Sequence, residues 1–410
     1  MFWEIAYVTM REMLNNLLGM FSHDIGVDLG TANTLVYVKG KGIVIREPSV
    51  VAQHRKTKEI LAIGEEAKQM IGKAPFNISV VRPLREGVIS DFDAASSMLK
   101  YFIRQVHRST SLIPKIPKPR VVVGIPSGVT EVERRAVTDA AFSAGAREVA
   151  LIEEPMAAAI GANLPIESPQ GSLIVDIGGG TTEIAVVSLG GLVTVKSLRI
   201  AGDRFDSAVM DFARSQYNLL LGERTAEEVK IAVGNAYSFG SAPGQNLSVD
   251  SRTLKWRSLL SEDTDGGDLE KIEASVSEDE GAESSDKGKN IESLALKTVK
   301  MRGRDLASGL PKTVVVGFRE IREALDSPLR LIIEAIKDAV EETPPELVAD
   351  IIRGGITLAG GGAGLSGLDY LVAEQTGIKT IIAKDPMTCV VRGTAKVLDN
   401  PKLLKRVRVA

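Results

Sequence analysis

LIVDIGGGTTEIAVVSL, which runs from Leu173 to Leu189, is the stretch that decides the fold. An apolar run ends at Asp176, a loop of three glycines and two threonines follows, and an alternating run comes next. This layout predicts a β-hairpin that carries an acidic residue just before its turn. A P-loop and a dinucleotide-binding fingerprint are both excluded, because in those motifs the glycines open a helix.

The same layout occurs a second time, in DIGVDLGTANTLVYVKG from Asp24 to Gly40, where Asp28 precedes a loop of small residues. Small residues let a ligand approach the backbone, and successive amides form a concavity that binds anions. Two such turns could close on one phosphate chain, with Asp28 and Asp176 holding a hydrated Mg²⁺ that offsets the phosphate charge. The alternative is two glycine-rich hairpins with surface aspartates and no ligand.

A third glycine cluster lies in GGITLAGGGAGLSGLDYLV, from Gly354 to Val372. Its pattern predicts a strand, a loop of Gly360, Gly361 and Gly362, and then a helix. Bare backbone of this kind suits the flat face of a base or a sugar. On its own the cluster is weak evidence for a ligand site, and its position after the two hairpins strengthens that evidence.

The rest of the body alternates strand and helix patterns, which predicts an α/β fold. A strand is predicted at 120–126. Thr130 and Glu133 have the spacing of a capping box at the start of one helix, and Ser90 or Asp91 is expected to cap another.

The composition is that of a folded protein of 410 residues, long enough for two domains, with 44% hydrophobic and 25% charged residues. No apolar run is long enough to span a bilayer. One cysteine, Cys389, excludes an internal disulfide framework and indicates a reducing compartment. One cysteine and three scattered histidines make no transition-metal site. Nucleic acid is not an expected partner, because only 4% of the residues are aromatic.

Residues 238–296 break the periodic pattern and are interpreted as an insertion in a surface loop, with no catalytic residue. The part from 261 to 289 contains 11 acidic and 3 basic residues, so its net charge is −8. Since the net charge of the whole chain is −3, the rest of the chain has a net charge of +5. This composition cannot bury enough apolar area to offset the entropy of ordering, so disorder is expected.

The first 22 residues are expected to form an amphipathic extension, and the true start could be Met1, Met13 or Met20. Residues 10–21, MREMLNNLLGMF, place apolar side chains at helical spacing. Two interpretations stay open: a terminal helix packed on its own domain, or an anchor that lies in the plane of a membrane. A secretory signal is not indicated, because charged residues interrupt the segment and no cleavage site follows.

Two hairpin phosphate loops followed by a third glycine loop resemble the superfamily of actin, sugar kinases and heat-shock chaperones. Within it, the chain is similar to the MreB family of bacterial actins over about residues 20–399, apart from the acidic insertion. The similarity rests on blocks that occur in the family's order: DLGTANTLVYVKGKGIVIREPSVVA, RPLREGVISDF, IEEPMAAAIGANLP, VDIGGGTTEIAVVSLGG, AGDRFD, ERTAEEVK, RGRDLASGLPK and LAGGGAGLSGLD.

The resemblance implies an actin-like fold, in which two similar lobes with RNase H-like cores surround an interlobe cleft for ATP and Mg²⁺. The first lobe would span 23–155, with a smaller subdomain at about 48–90. The second would span 156–380, with a smaller subdomain at about 201–315 that contains the insertion. Residues 381–410 would return to the first lobe.

Nucleotide contacts carry over from the family onto the three glycine loops and one helix. They are Thr31, Ala32, Asn33, Gly178, Gly179, Gly180, Thr181, Glu227, Lys230, Gly360, Gly361 and Gly362. Actin has a lysine in its first phosphate loop where this chain has Asn33. The phosphate charge is therefore expected to rest more on Mg²⁺ and on backbone amides.

Glu154 matches the position at which the family orients the attacking water, with Thr181 as its partner. The sequence alone allows another interpretation, because an acid in the first turn of a helix is favoured by the helix dipole and Pro155 suits a helix start. Glu153 is expected to be structural. ATP hydrolysis would serve polymerisation rather than metabolism.

The resemblance also implies a cytoplasmic, filament-forming protein at the periphery of the cytoplasmic membrane, which organises cell-wall synthesis in rod-shaped cells. Membrane contact is expected from residues 10–21 and from Leu112 and Ile113, for which packing within an ordinary loop is the alternative. A sugar-type kinase stays open as a second function. A chaperone is disfavoured, because the roughly 40 residues after the third glycine loop leave no room for a peptide-binding domain.

Overall fold

The computed structural model describes residues 23–107, 118–237 and 298–409. Three predictions lie outside the described residues: the amphipathic helix at 10–21, the loop with Leu112 and Ile113, and the insertion at 238–296. Within the described residues, no helix is both long enough and apolar enough to cross a membrane.

Strands and helices alternate along the chain, which confirms the predicted α/β class. The strands are β1 (Ile25–Leu29), β2 (Asn33–Val38), β3 (Gly42–Pro48), β4 (Val51–His54), β5 (Ile60–Ile63), β6 (Ile78–Val81), β7 (Leu84–Arg85), β8 (Val88–Ile89), β9 (Arg120–Ile125), β10 (Glu148–Glu153), β11 (Ser172–Ile177), β12 (Thr182–Ser188), β13 (Gly191–Leu198), β14 (Leu219–Leu220), β15 (Thr298–Asp305), β16 (Pro311–Gly317), β17 (Ile356–Ala359) and β18 (Thr380–Ile382). The α-helices are α1 (Glu65–Gln69), α2 (Phe92–His107), α3 (Glu131–Ser143), α4 (Glu154–Gly161), α5 (Gly202–Tyr217), α6 (Glu223–Val233), α7 (Phe318–Glu341), α8 (Pro345–Gly354), α9 (Leu368–Thr376), α10 (Cys389–Asp399) and α11 (Pro401–Val407).

Two five-stranded sheets repeat one topology. The first sheet has the strand order β10-β9-β1-β2-β3, and the second has the order β13-β12-β11-β17-β18. In the first, β1, β2 and β3 are antiparallel neighbours and β9 runs parallel to β1. In the second, β11, β12 and β13 are antiparallel neighbours and β17 runs parallel to β11. The repeated acidic hairpins of the sequence are therefore the central hairpins of two similar sheets.

Helices α4 and α10 pack against each other through glycines. A Cβ on Gly161 would overlap the backbone carbonyl of Cys389, and a Cβ on Gly393 would overlap the carbonyl of Ala157. One cluster of buried apolar residues joins both helices to the two sheets, with Val122 from the first sheet and Ile174 from the second. Close helix packing on both sheets fixes the start of α4, where Glu154 lies.

The capping box predicted at the start of α3 is confirmed. Thr130 and Glu133 form a reciprocal capping box at its start. Gly145 follows its end with a φ of +110°, and its N–H donates to the carbonyl of Phe142. At the start of α2, the carboxylate of Asp91 accepts from the N–H of Ala94 at 3.0 Å, so Asp91 rather than Ser90 satisfies the free amides of this helix.

The described chain forms two compact units. Of the described residues, unit 1 contains 23–107, 118–203, 338–363 and 382–409, and unit 2 contains 204–237, 298–337 and 364–381. Both phosphate-loop hairpins lie in unit 1, and the lobe boundary predicted at 155/156 falls inside that unit. The physical reason is α4, which contacts β9 and β10 as well as β11 and β12. The division into two lobes stays a prediction.

Candidate functional site

The two acidic residues of the repeated turns occupy equivalent places in the two sheets. Asp28 is the last residue but one of β1, and Asp176 is the last residue but one of β11. Asp28 pairs with Gly124 on the parallel neighbour, and Asp176 pairs with Ala359 on its own. Each aspartate therefore stands beside a small residue at the end of its strand, next to a glycine turn.

The two turns touch each other within unit 1. A Cβ placed on Gly179 would lie 2.5 Å from the Cβ of Ala32 and 3.0 Å from its backbone nitrogen. A Cβ on Gly180 would lie 2.6 Å from Oγ1 of Thr31. Only glycine at these two positions allows the turns to approach this closely.

Backbone amides at both tips are free to bind a ligand. Among the described residues, no acceptor takes the N–H groups of Thr31 and Ala32 in the first turn, or those of Gly179, Gly180 and Thr181 in the second. Converging free amides of this kind bind anions such as phosphate.

The start of α5 orients the second turn. The N–H of Gly202 donates to the carbonyl of Gly178 at 3.2 Å, and the N–H of Asp203 donates to the carbonyl of Gly179 at 2.8 Å. The glycine carbonyls are thus engaged by α5. This arrangement leaves the amide side of the turn available to a ligand.

Residues that the sequence analysis did not single out hold the first turn. Oγ of Ser49 donates to the carbonyl of Gly30 at 2.6 Å. Oγ1 of Thr31 accepts from the N–H of Gly87 at 3.0 Å. These partners come from other segments, and Gly87 lies in RPLREGVISDF, a block that resembles the family without a local pattern of its own that indicates a site.

The third glycine loop packs on the end of β11. Gly360 has a φ of +80°, and a Cβ there would overlap the carbonyl of Ile177 and a carboxylate oxygen of Asp176. A Cβ on Gly362 would overlap the side chain of Ile177. Gly361 is more open, because the nearest atom to a Cβ placed there would be the Cε of Met387, at 3.7 Å. The loop therefore adjoins the second turn and the acidic residue before it.

Carboxylates crowd the space beside the turns. Burial raises the pKa of Asp28 from 3.8 to about 7. Burial, and after it the negative charges of Asp28 and Glu183, raise the pKa of Asp176 well above its ordinary value. Asp176 is 5% exposed, and its Oδ1 has no hydrogen-bond partner among the described residues. A buried carboxylate oxygen of this kind suits a bound cation, and the residues present fit Mg²⁺.

The described residues do not form a complete metal cage. They contain no group of three or more His, Cys, Asp or Glu side chains that could hold a metal ion. Mg²⁺ commonly keeps several waters and binds through one or two carboxylates together with substrate phosphates. The pair of Asp28 and Asp176 fits that manner of binding.

Glu154 begins α4 beside the acidic pair. A Cβ on Gly124 would lie 3.5 Å from the Cγ of Glu154, so the glycine leaves room for this side chain. Burial, followed by the charges of Asp28, Glu183 and Asp176, raises the pKa of Glu154 well above its ordinary value. Glu154 thus shares one electrostatic environment with both aspartates.

Glu153 and Glu154 face different surroundings. Burial raises the pKa of Glu153, and the positive charge of Arg134 opposes that rise. The causes of the Glu154 pKa shift are instead burial and the charges of Asp28, Glu183 and Asp176. The structural role expected for Glu153 stays a prediction.

Glu227 and Lys230, the remaining predicted nucleotide contacts, lie on α6 in unit 2. Nζ of Lys230 forms an ion pair with Oδ1 of Asp206 on α5, at 2.8 Å, and both side chains are largely buried. Contact of Glu227 and Lys230 with the adenosine stays a prediction.

Comparison with known proteins decides the family. The sequence model of the MreB/Mbl protein family matches residues 22–256 and 281–406, which is most of the chain. The chain belongs to the MreB/Mbl family. The match leaves residues 257–280 unmatched, and these lie within the predicted insertion.

Relatives within the MreB/Mbl family match over nearly their whole length. The cell shape-determining protein MreB of Escherichia coli K12 is 45% identical over 391 residues, which cover 94% of this chain and 96% of that protein. The cell shape-determining protein Mbl of Bacillus subtilis 168 is 42% identical over 388 residues, which cover 94% of this chain and 99% of that protein.

Solved structures agree with the family and with the actin-like fold. MreB5 of Spiroplasma citri bound to ADP matches with a TM-score of 0.75 at 34% identity, over 94% of this chain and 98% of that chain. MreB5 bound to AMPPNP matches with the same TM-score. A MamK double helical filament matches with a TM-score of 0.67 at 20% identity, over 92% of this chain and 99% of that chain, and this likeness supports the fold alone.

Glu183 is a further residue of this MreB/Mbl site that the sequence pattern did not single out. Glu183 pairs with Asp176 across the second hairpin and is 1% exposed. A signal for it was present, because Glu183 is a charged residue at the start of a strand whose other residues are apolar or small. A carboxylate in a fully buried strand needs hydrogen-bond partners, and one of them, Ser127, lies far away in the sequence.

Proposed function

We propose that this chain is an ATP-binding, actin-like filament protein that determines cell shape by organising cell-wall synthesis at the cytoplasmic membrane. The observation that carries the proposal is the contact between the turn of Ala32 and the turn of Gly179, which presents free amides next to Asp28 and Asp176. Membership of the MreB/Mbl family gives this nucleotide site its cellular role.

The triphosphate of ATP is bound by the two turns in this proposal. Amides of Ala32 and Gly179 would donate to phosphate oxygens, and Thr31, Asn33, Gly178, Gly180 and Thr181 would complete the two loops. The third loop, Gly360 to Gly362, would face the adenosine together with Glu227 and Lys230. Asp28 and Asp176 would hold Mg²⁺ through water, and the ion would supply positive charge that offsets charge building up on the phosphates.

Glu154 orients the water that attacks the terminal phosphate, with Thr181 as its partner. Phosphoryl transfer needs little covalent help from the protein, and the main requirement is a water held in line with the leaving group. Glu154 suits this task because it stands at the rigid start of α4, in the same electrostatic environment as both aspartates. Hydrolysis would serve the switching of filament contacts.

Membrane attachment is the second part of the proposal. The N–H of His23 donates to Nε2 of His107 at 3.1 Å, and the two rings lie 5.9 Å apart. Residues 10–21 precede His23 closely, and Leu112 and Ile113 follow His107 closely. Both predicted apolar elements therefore join the described chain at one place. Weak anchors on each subunit add up along a filament to strong binding.

Co-sedimentation with anionic liposomes, with and without Mg-ATP and followed by electron microscopy, tests the proposal. We expect filaments on the lipid surface in the presence of Mg-ATP. Soluble protein without filaments, together with ADP production stimulated by sugars, would replace the proposal by the sugar-type kinase.

A further inference from the structure

Glu183 is a buried carboxylate to which the proposed function gives no task. All seven residues of β12 are buried, and Glu183 itself is 1% exposed. In the sheet register it stands between Asp176 on β11 and Ser197 on β13. Residues directly opposite each other on neighbouring strands share a face of the sheet. The carboxylate therefore lies in a row with the acidic residue that precedes the second turn.

Two donors hold the Glu183 carboxylate, one on the neighbouring strand β13 and one in the loop after β9. Oε1 accepts from Oγ of Ser197 at 2.6 Å, within the second sheet. Oε2 accepts from the N–H of Ser127 at 3.3 Å. Ser127 follows β9 of the first sheet closely in the chain. A Cβ on Gly128 would lie 3.3 Å from Ser197, so the loop packs tightly at this point.

Gly87 lies against both the loop after β9 and the second turn. A Cβ on Gly87 would lie 2.7 Å from Cγ of Pro126 and 2.9 Å from Cγ2 of Thr181. Thr181 is the last residue of the turn and precedes β12. The negative charge of Glu183 also contributes to the raised pKa of Glu154. Glu183 thus lies among the groups that the proposed hydrolysis needs to align.

The first sheet shows that the hairpin itself does not require this glutamate. Asp28, the equivalent of Asp176, is paired across its own hairpin with Leu35. Leu35 is 3% exposed and packs as an ordinary apolar residue. A leucine at this position is compatible with the same hairpin, so the buried carboxylate in the second copy has a different reason to be there.

We propose that Glu183 is a positioning residue, which ties the Ser127 loop of the first sheet to the second phosphate hairpin and so holds Thr181 in register with Glu154. This inference rests on the proposed ATP hydrolysis. The link that Glu183 makes between Ser127 and Ser197 depends on its hydrogen bonds rather than on its charge. A glutamine at this position can accept from the N–H of Ser127 and donate to Oγ of Ser197, whereas a leucine, as in the first sheet, can do neither.

Steady-state ATP hydrolysis by Glu183→Gln, Glu183→Leu and Ser197→Ala tests the role. We expect Glu183→Leu to lower kcat about tenfold or more with less than about a twofold change in KM, because binding amides remain while alignment is lost. Glu183→Gln should stay within about twofold of the wild type. Ser197→Ala, which removes one donor and little volume, should lower kcat about two- to fivefold.

Hydrogen exchange at the Ser127 amide, measured without nucleotide, tests the tie itself. Exchange should be faster in Glu183→Leu than in the wild type and unchanged in Glu183→Gln. Two results would overturn the inference while leaving the proposed function in place. One is a wild-type kcat in both Glu183→Leu and Ser197→Ala, and the other is an equal loss of kcat in Glu183→Gln and Glu183→Leu. A wild-type chain that binds Mg-ATP and never hydrolyses it would overturn the hydrolysis proposal and this inference together, whatever the exchange data show.

Discussion

The Cβ of Ala32 lies 2.5 Å from the place that a Cβ on Gly179 would occupy, so the repeated turns of two different sheets are in direct contact. Each turn alone carries a few N–H groups that have no acceptor among the described residues. In contact, they present amides from two directions to one space, with Asp28 and Asp176 at the ends of the strands that lead into it. This relationship turns a duplicated hairpin into a candidate phosphate site.

Gly179→Val should weaken Mg-ATP binding about tenfold or more, because the new side chain forces the second turn away from Ala32. Isothermal titration with Mg-ATP measures the effect. Gly364→Ala is the matched control, since a Cβ at that glycine meets no atom within 4 Å. Unchanged binding in Gly179→Val would show that contact between the turns is not needed.

Glu154→Ala should bind ATP with an affinity within about twofold of the wild type and release phosphate about 100-fold more slowly. The change removes the group that orients water and leaves the phosphate-binding amides untouched. A phosphate-release assay under single-turnover conditions measures it. Glu153→Gln serves as the control and should release phosphate at the wild-type rate. Wild-type release by Glu154→Ala would remove this residue from the mechanism.

Asp28→Asn should raise the melting temperature of the nucleotide-free protein at pH 8 by about 2 °C or more. Burial raises the pKa of Asp28 from 3.8 to about 7. Between these values the folded chain keeps a proton that the unfolded chain has lost. The contribution of Asp28 to the free energy of unfolding therefore falls as pH rises through this window and stays low above it.

Thermal unfolding at pH 4 and pH 8 checks this prediction. Near pH 4 the difference between Asp28→Asn and the wild type should shrink, because Asp28 is then largely protonated in the folded chain. Added Mg-ATP should make the wild type melt at a higher temperature than Asp28→Asn at pH 8, since the wild type gains a cation at Asp28 and the variant does not. Asp211→Asn, at an exposed position, should change neither comparison. A variant that melts below the wild type at pH 8 without ligand would contradict the account.

Leu112→Glu combined with Ile113→Glu should lower co-sedimentation with anionic liposomes at least about threefold, because both apolar side chains are replaced by charges that the membrane repels. Filament formation without lipid should be unchanged in the same protein. Ile231→Glu, at a position 75% exposed in unit 2, is the control for added surface charge. Full liposome binding by the double variant would assign these residues to packing within their loop.

Deletion of residues 240–292 should leave the Kd for Mg-ATP within about twofold of the wild type. The segment is expected to be a peripheral acidic insertion, whereas the turns, Asp28 and Asp176 all lie elsewhere in the chain. Loss of ATP binding in a deletion variant that keeps its circular dichroism spectrum would show that the segment is part of the folded site.

Local patterns in the sequence predicted the hairpins, the helix caps and the α/β class. The acidic residue before each glycine turn and the spacing of Thr130 and Glu133 are visible without tertiary structure, because hairpins and capping boxes are local features. The contact between the two turns was suggested by their repetition, and its geometry became visible only in the folded chain.

Long-range contacts could not be predicted in the same way. Ser127 and Glu183 are distant in the chain, and no local pattern pairs them. The compact units also depend on packing, since the glycines that bring α4 and α10 together, Gly161 and Gly393, lie far apart in sequence. Such pairings follow from tertiary packing, which local propensity does not specify.

The most direct test is a crystal or cryo-EM structure of the protein with Mg²⁺ and a non-hydrolysable ATP analogue. The account predicts one triphosphate that accepts hydrogen bonds from amides of both turns, at Ala32 and at Gly179, with Mg²⁺ held near Asp28 and Asp176. A triphosphate bound by only one turn, or bound elsewhere with the aspartates facing no ion, would contradict it.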